Sequence, residues 1–276
     1  MSLKRDESGR LHIQTPLTAE SLMDKTLIAR TEAESVYRLQ PELCVVKLGG
    51  QSIIDRGAGV VLPLVEEIVA ARADYPLLVT TGGGTRSRHA YSIALDLGMP
   101  TGVLAKLGSS ISEQNALMIS LLLAPYGGIQ IGHGDLVKLP AYLALGAIPV
   151  MAAMPPYSLW EEPPERGRIP PHRTDTGAFL TAEVVGARRC ILVKDERGLF
   201  TADPKKDPAA GFLPEIEVHE LLDLDLEDLA VERAMLHALA HARSVREVLL
   251  VNGREPGNLT RALAGENPGT RIYRNS

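Results

Sequence analysis

Apolar positions in this chain fall into short unbroken runs, and these alternate with longer stretches of helical spacing. LCVVKLGG (43–50) is apolar, β-branched and closed by two glycines, which predicts a buried strand. VVLPLVEEIVAARA (60–73) repeats apolar residues at helical spacing. PLLVTTGGG (76–84) predicts a second strand running into glycines, and SRHAYSIALDLG (87–98) a helix closed by Gly98. Ser110 with Glu113 has the spacing of a capping box and predicts a helix start there, continuing through QNALMISLLLA. GIQIG (128–132) and IPVMAA (148–153) predict short strands around a short helix. A proline-rich insertion follows, MPPYSLWEEPPERGRIPPHR (154–173). TDTGAFLTAEVVGA then predicts a helix, RCILVKD (189–195) a strand, LAVERAMLHALAHA (229–242) a helix, and VREVLLVNG (245–253) the last clear strand. Strands alternating with helices predict an α/β fold, a mostly parallel sheet covered on both faces. Residues 1–40 are polar and charged and predict an arm, suited to ordering on a partner subunit. Residues 41–276 form the domain. Its motifs cluster in two halves, about 41–187 and about 188–276.

Composition changes this picture little. With 45% hydrophobic and 23% charged residues among 276, the chain can bury a sizeable core. A net charge of -5 gives no reason to expect nucleic acid or an anionic membrane as partner. An anionic ligand would therefore need local positive sites. No apolar stretch reaches the ~18–20 residues that span a bilayer, and the opening MSLKRDESGR has no apolar core of a signal peptide. The two cysteines, Cys44 and Cys190, lie in strand-like runs and read as buried reduced thiols. The expectation is a soluble, cytoplasmic protein.

Chemistry concentrates at strand ends. Lys47-Leu48-Gly49-Gly50 and Gly82-Gly83-Gly84 each put glycines just past a buried strand, where open α/β sheets bind ligands. Glycines let backbone N–H groups approach phosphate oxygens, the following helix adds its positive end, and Lys47 supplies a mobile charge. Tight turns and a surface lysine are the structural alternative. Neither loop has the Gly-Lys-Ser/Thr of a P-loop. In Thr174-Asp175-Thr176-Gly177, Asp175 either caps a helix or faces the phosphates to orient a lysine or a metal-bound water. VKDERGLFTADPKKDP (193–208) reads either as a solvated hairpin or as a nucleotide clamp. In the clamp, Lys194 and Asp195 sit at the strand end, Gly198 permits a turn, Phe200 covers a base, and Asp203-Pro204 stiffens the return. His237 and His241 are four apart without the intervening Glu of a zincin. Trp160, alone in its loop, is expected to pack at a subunit contact.

Together, Lys47-Leu48-Gly49-Gly50, Gly82-Gly83-Gly84, Thr174-Asp175-Thr176-Gly177-Ala178, Val193-Lys194-Asp195 and Gly198 through Pro204 resemble the amino-acid kinase superfamily, in its uridylate kinase-like branch. The ending from Val251-Asn252-Gly253 to Gly269-Thr270 fits the same branch. The resemblance implies a three-layer α/β/α sandwich with ATP at the strand ends. The nucleoside-acceptor half departs from that branch: Thr85-Arg86-Ser87-Arg88-His89 follows the glycines, and Ser112-Glu113-Gln114-Asn115 stands about where an acceptor motif belongs. Gly49 through Gly57, Arg86-Ser87-Arg88-His89, Gly108-Ser109-Ser110, Gln114-Asn115, Met154 through Trp160 and Ile169 through Asp175 instead resemble the molybdenum storage protein family, its β-type subunits above all.

That resemblance implies a hexameric cage with an α-type paralogous partner. In it, ATP and Mg²⁺ load molybdate or tungstate, stored as polyoxometalate clusters. It implies Lys47, Asp175 and Lys194 as the groups acting on the transferred phosphoryl, with hydrolysis to water. The nucleotide contacts would be Gly49, Gly50, Gly82, Gly83, Gly84, Asp195, Gly198, Phe200, Asp203 and Pro204. His133 and Gln114 are candidate oxometalate contacts. Two other readings stay open: a nucleoside-monophosphate or small-acid kinase, and a regulatory subunit that binds ATP without turnover.

Overall fold

The computed structural model describes residues 3–5, 7, 9, 11–13, 37–156, 158–164 and 168–275. The chain divides into two units, Met1–Tyr37 and Arg38–Ser276. In the first, β1 (Leu3–Arg5) pairs antiparallel with β2 (Leu11–Ile13). The rest of the expected arm up to residue 36 lies outside the described residues.

The second unit is built on an eight-stranded sheet in the order β10-β12-β11-β7-β3-β4-β6-β5. Its strands are β3 (Cys44–Leu48), β4 (Leu77–Thr81), β5 (Gly128–Gln130), β6 (Ile148–Ala152), β7 (Arg189–Lys194), β10 (Glu215–Glu217), β11 (Glu247–Asn252) and β12 (Thr270–Tyr273). From β11 to β5 all pairs are parallel, while β12 runs against β11 and takes β10 parallel to itself. A small ribbon, β8 (Leu199–Phe200) with β9 (Phe212–Leu213), stands apart from the sheet.

Helices cover both faces, and strand parity decides which residues meet them. Cys44, Val46 and Leu48 point to one side with Ile191 and Val193, under α1 (Ala58–Ala71), the second half of α3 (Thr101–Leu123) and α8 (Asn258–Ala264). Val45, Cys190 and Leu192 point to the other side. There they meet α5 (Thr174–Val185), α6 (Val218–Asp223), α7 (Arg233–Ala240) and Leu139 of α4 (Leu139–Ala144). Tyr91 and Ala94 of α2 (Thr85–Asp96) form a smaller cluster with Leu104. The expected three-layer sandwich is present. Both cysteines are buried and free.

Four expectations need correction. The predicted helix start at Ser110 is absent: α3 is continuous from Thr101, and the Ser110 hydroxyl donates back to the Lys106 carbonyl at 3.2 Å. Val245–Gly253 does not hold the last strand, since β12 follows it. The helix after Gly49-Gly50 does not start at once, because a 3-10 turn, Ile54–Arg56, precedes α1. Finally, α7 starts at Arg233, and the residues ahead of it are used at the site described next.

Candidate functional site

The chain runs from β3 outward to one side of the sheet, then returns through β7 to the other. At this switch the strand ends splay apart and leave a cavity of about 930 Å³. Strand parity loads it with charge. Lys47 lies on the face of Val45, and Lys194 on the face of Cys190 and Leu192, so both enter the side covered by α5. Register sets Lys47 opposite Leu192, so Lys194 lies two residues beyond it on the next strand. The first turn of α5 brings Asp175 between them.

Lys47 Nζ donates to Asp175 Oδ1 at 2.8 Å, and Lys194 Nζ donates to Asp175 Oδ2 at 2.5 Å. Lys47 is 4% exposed and Asp175 3%. Burial alone would push the Asp175 carboxyl up, but the Lys194 and Lys47 ammoniums outweigh it and hold the carboxyl well below its ordinary range. The Lys194 ammonium is pulled down by burial, opposed by Asp175 and assisted by Lys47. One carboxylate against two ammoniums leaves these three side chains with a net positive charge facing the cavity, set against the buried carboxylate of Glu232 in the same wall.

Two glycine loops form the opposite wall. A Cβ on Gly50 would sit 2.1 Å from the Gly84 nitrogen and 2.6 Å from its Cα, so the loops touch backbone to backbone. Asn115 braces them from α3, donating to the Gly82 carbonyl at 2.6 Å. We expect Gly50→Ala to force the loops apart, lowering stability by about 1–3 kcal/mol and weakening nucleotide binding. Thermal unfolding with a nucleotide titration would read both, and a variant matching the wild type in each would contradict this packing.

Gly49, Gly82, Gly83, Asp195, Gly198, Phe200, Asp203 and Pro204 all line the same cavity with Gly50 and Gly84. Their parts differ from simple expectation. Asp195 is ion-paired with Arg56 of the 3-10 turn. Gly198 is required by close approach, since a Cβ there would lie 2.2 Å from Thr270 Oγ1. Phe200 rests against Phe212 with ring centroids 5.4 Å apart. Asp203 accepts the Lys205 N–H at 2.9 Å and so holds its own turn.

Sequence reasoning missed Glu232. Its buried carboxylate accepts N–H groups of Arg173, Asp175 and Thr176 at 3.0, 3.1 and 3.0 Å and the Thr176 hydroxyl at 2.7 Å. It thereby caps α5 and fixes Asp175. Lys194 also donates to the Ala230 carbonyl, two residues before Glu232. The first turn of α2 is likewise engaged by a carboxylate, Asp55 accepting the Thr85 N–H at 2.6 Å.

His133 and Gln114 do not line this cavity. The Gln114 side chain accepts from Arg86 at 2.9 Å. His133 borders a second cavity of about 360 Å³ with Glu113, Gln130 and Gly132. Burial pulls His133 down, only partly offset by a hydrogen bond to the Met154 backbone, which favours a neutral imidazole at pH 7. Trp160 is 86% exposed. His241 Nδ1 lies 2.9 Å from the His237 carbonyl, and among the described residues no three His, Cys, Asp or Glu side chains are grouped to hold a metal ion.

A buried cationic pair facing two glycine loops, with a loop carrying an aromatic ring on the third side, is chemistry for holding a row of phosphates and the group attached to them. The chain matches the profile of the amino acid kinase family over residues 42–252. It is 51% identical over 256 residues to the molybdenum storage protein subunit beta of Azotobacter vinelandii, covering 93% of this chain and 95% of that one. It is 31% identical over 234 residues to the uridylate kinase of Thermofilum pendens, covering 81% and 94%. The solved UMP kinase of Bacillus anthracis shares the fold with a TM-score of 0.66 at 18% identity, covering 86% of this chain and 98% of that one. The chain belongs to the amino acid kinase family, in the group of the molybdenum storage protein subunit beta.

Proposed function

We propose that this chain is an ATP-dependent storage subunit for molybdate or tungstate. The Lys47–Asp175–Lys194 cluster carries the reading: a buried, net positive group aimed into a large cavity suits the β- and γ-phosphates of ATP. The 51% identity to a molybdenum storage subunit supports the cargo. Lys47 and Lys194 neutralise charge as the γ-phosphoryl moves to water, and Asp175 holds both lysines in place. Phosphoryl transfer depends on positioning and charge compensation, so no general base is required. The glycine loops approach the phosphates, and the 198–204 segment takes the adenosine.

Mg²⁺ fits this site only as a companion of the phosphates. With no three-ligand group among the described residues, it would arrive on ATP and use at most one or two carboxylates, Asp195 foremost. When bound, it supplies neutralising charge. The nucleotide half, about 188–276, and the acceptor half, about 41–187, both contribute. Oxometalate clusters would grow elsewhere. The neutral His133 imidazole, with Glu113 and Gln130 around the second cavity, is the better-formed contact, and Gln114 the lesser one. A hexameric cage with an α-type partner belongs to this reading. Exposed apolar residues of α2 and α3, among them Ile93 (49%) and Leu121 (63%), together with Leu97 just past α2 and Trp160, support assembly. A cytoplasmic location is consistent with two free buried thiols and with no described helix being long and apolar enough to cross a membrane.

The test is elemental analysis of protein purified after growth with molybdate, set beside its mass in solution. Many molybdenum atoms per chain in a hexamer-sized particle are expected. Absence of molybdenum, with ATP and an α-type partner supplied, would overturn storage. The kinase reading has the uridylate kinase relatives behind it, and phosphoryl transfer to UMP would restore it.

A further inference from the structure

Two stretches that stand out in the sequence, Thr85-Arg86-Ser87-Arg88-His89 and Ser112-Glu113-Gln114-Asn115, meet behind the second glycine loop. Arg86 stands in the first turn of α2 and reaches across to α3. Its Nη1 donates to Gln114 Oε1 at 2.9 Å, and its Nη2 donates to Asn115 Oδ1. Arg86 does not line the large cavity, so any part it has at the site runs through its neighbours.

Asn115 is the neighbour that reaches the loop. It is fully buried, and its Nδ2 donates to the Gly82 carbonyl at 2.6 Å and to the Gly83 carbonyl at 3.3 Å. A guanidinium can only donate, and a backbone carbonyl can only accept. The amide therefore has one workable orientation, oxygen to Arg86 and nitrogen to the loop. Turned over, it would set its oxygen against two carbonyl oxygens and its N–H groups against a cation. Arg86 fixes the sense of this amide through a charge-assisted hydrogen bond.

Peptide geometry carries the effect forward. In a trans peptide the C=O and the next N–H point in opposite directions, and the described chain has no cis bond. With the Gly82 and Gly83 carbonyls drawn back to Asn115, the Gly83 and Gly84 N–H groups face away from α3. Neither is donated to another backbone carbonyl among the described residues, and all three glycines line the cavity. Successive N–H groups turned this way make a concavity for anions. Resting on the reading of this cavity as an ATP site, we infer that Arg86 is a positioning residue for the phosphate-holding loop 82–84, acting through the Asn115 amide.

The experiment measures the affinity of the full-length protein for a non-hydrolysable ATP analogue and for AMP, with thermal unfolding of the same samples. AMP reports on the adenosine half, which the 198–204 segment takes, and the analogue adds the phosphates that the glycine loop holds. Arg86→Ala should weaken the analogue about tenfold, the scale of a lost hydrogen bond to a charged group, and leave AMP affinity and the unfolding temperature unchanged. Arg86→Lys should recover little of the loss, because one ammonium cannot span two amide oxygens as the fixed guanidinium fork does. Adding Arg86→Ala to Asn115→Ala should cost nothing further, and a fully additive loss would overturn the route through Asn115. Unchanged analogue affinity in Arg86→Ala, or a parallel loss of AMP affinity with a lowered unfolding temperature, would overturn the positioning role and leave the ATP site standing. A wild type that binds neither nucleotide would instead strike the ATP reading itself.

Discussion

Lys47→Ala should lower ATP turnover by about 10²–10³-fold, the range seen when a fixed charge-stabilising donor is removed from a phosphoryl or acyl site. The size of the effect comes from burial. The Lys47 side chain is 5% exposed, and its backbone is held by β4 on one side and β7 on the other. Solvent cannot replace its charge. The variant should still fold, because Lys194 and Asp175 remain as a neutral pair at 2.5 Å. Loss of turnover then reports on chemistry and not on unfolding. Lys47→Arg should recover little, since a planar guanidinium does not fit a slot formed around a slim ammonium. Phosphate release with thermal unfolding of the same samples checks this. A folded Lys47→Ala protein with normal turnover would remove Lys47 from the site.

The parts of this site that could be read in the sequence are those fixed by strand parity. Residues 43–50, 77–83 and 190–193 are buried, so their apolar runs are unmistakable. Counting by twos from Val45 and Cys190 puts both lysines on one side. What stayed hidden depends on contacts between distant segments. Glu232 sits 57 residues from Asp175, inside an apolar stretch that reads as helix. Its only signal was an acidic residue among apolar neighbours. The helix start expected at Ser110 rests on its capping-box spacing with Glu113. Packing overrides it, because Gly108 is where Tyr91 comes in against α3. β12 is four residues long, lies between β10 and β11 and runs against β11, and is too short to stand out from the loop around it. The Gln114-Asn115 pair was visible as a motif, but its work in bracing the glycine loop needed the fold.

Asp175→Asn should be more damaging to stability than either lysine substitution. It keeps the shape and removes the one negative charge that two buried ammoniums share. An uncompensated buried charge costs about 3–5 kcal/mol, so the apo variant should melt roughly 10 °C or more below wild type. Two conditions should narrow that gap. ATP brings its own negative phosphates to the lysines, and binding to the folded state alone adds stability by mass action. The stability lost on substitution should therefore shrink when a non-hydrolysable ATP analogue is present. Acid should narrow it as well. The folded carboxyl of Asp175 lies below its ordinary value, so its contribution is complete above about pH 5 and drains away as the pH falls toward the folded value. Wild type should thus descend toward the variant in acid, and the variant should not rise toward wild type. Melting curves across pH, with and without the analogue, measure both trends. A deficit that stays constant under nucleotide and in acid would mean that Asp175 is held by shape, and that the lysines have their counter-charge elsewhere.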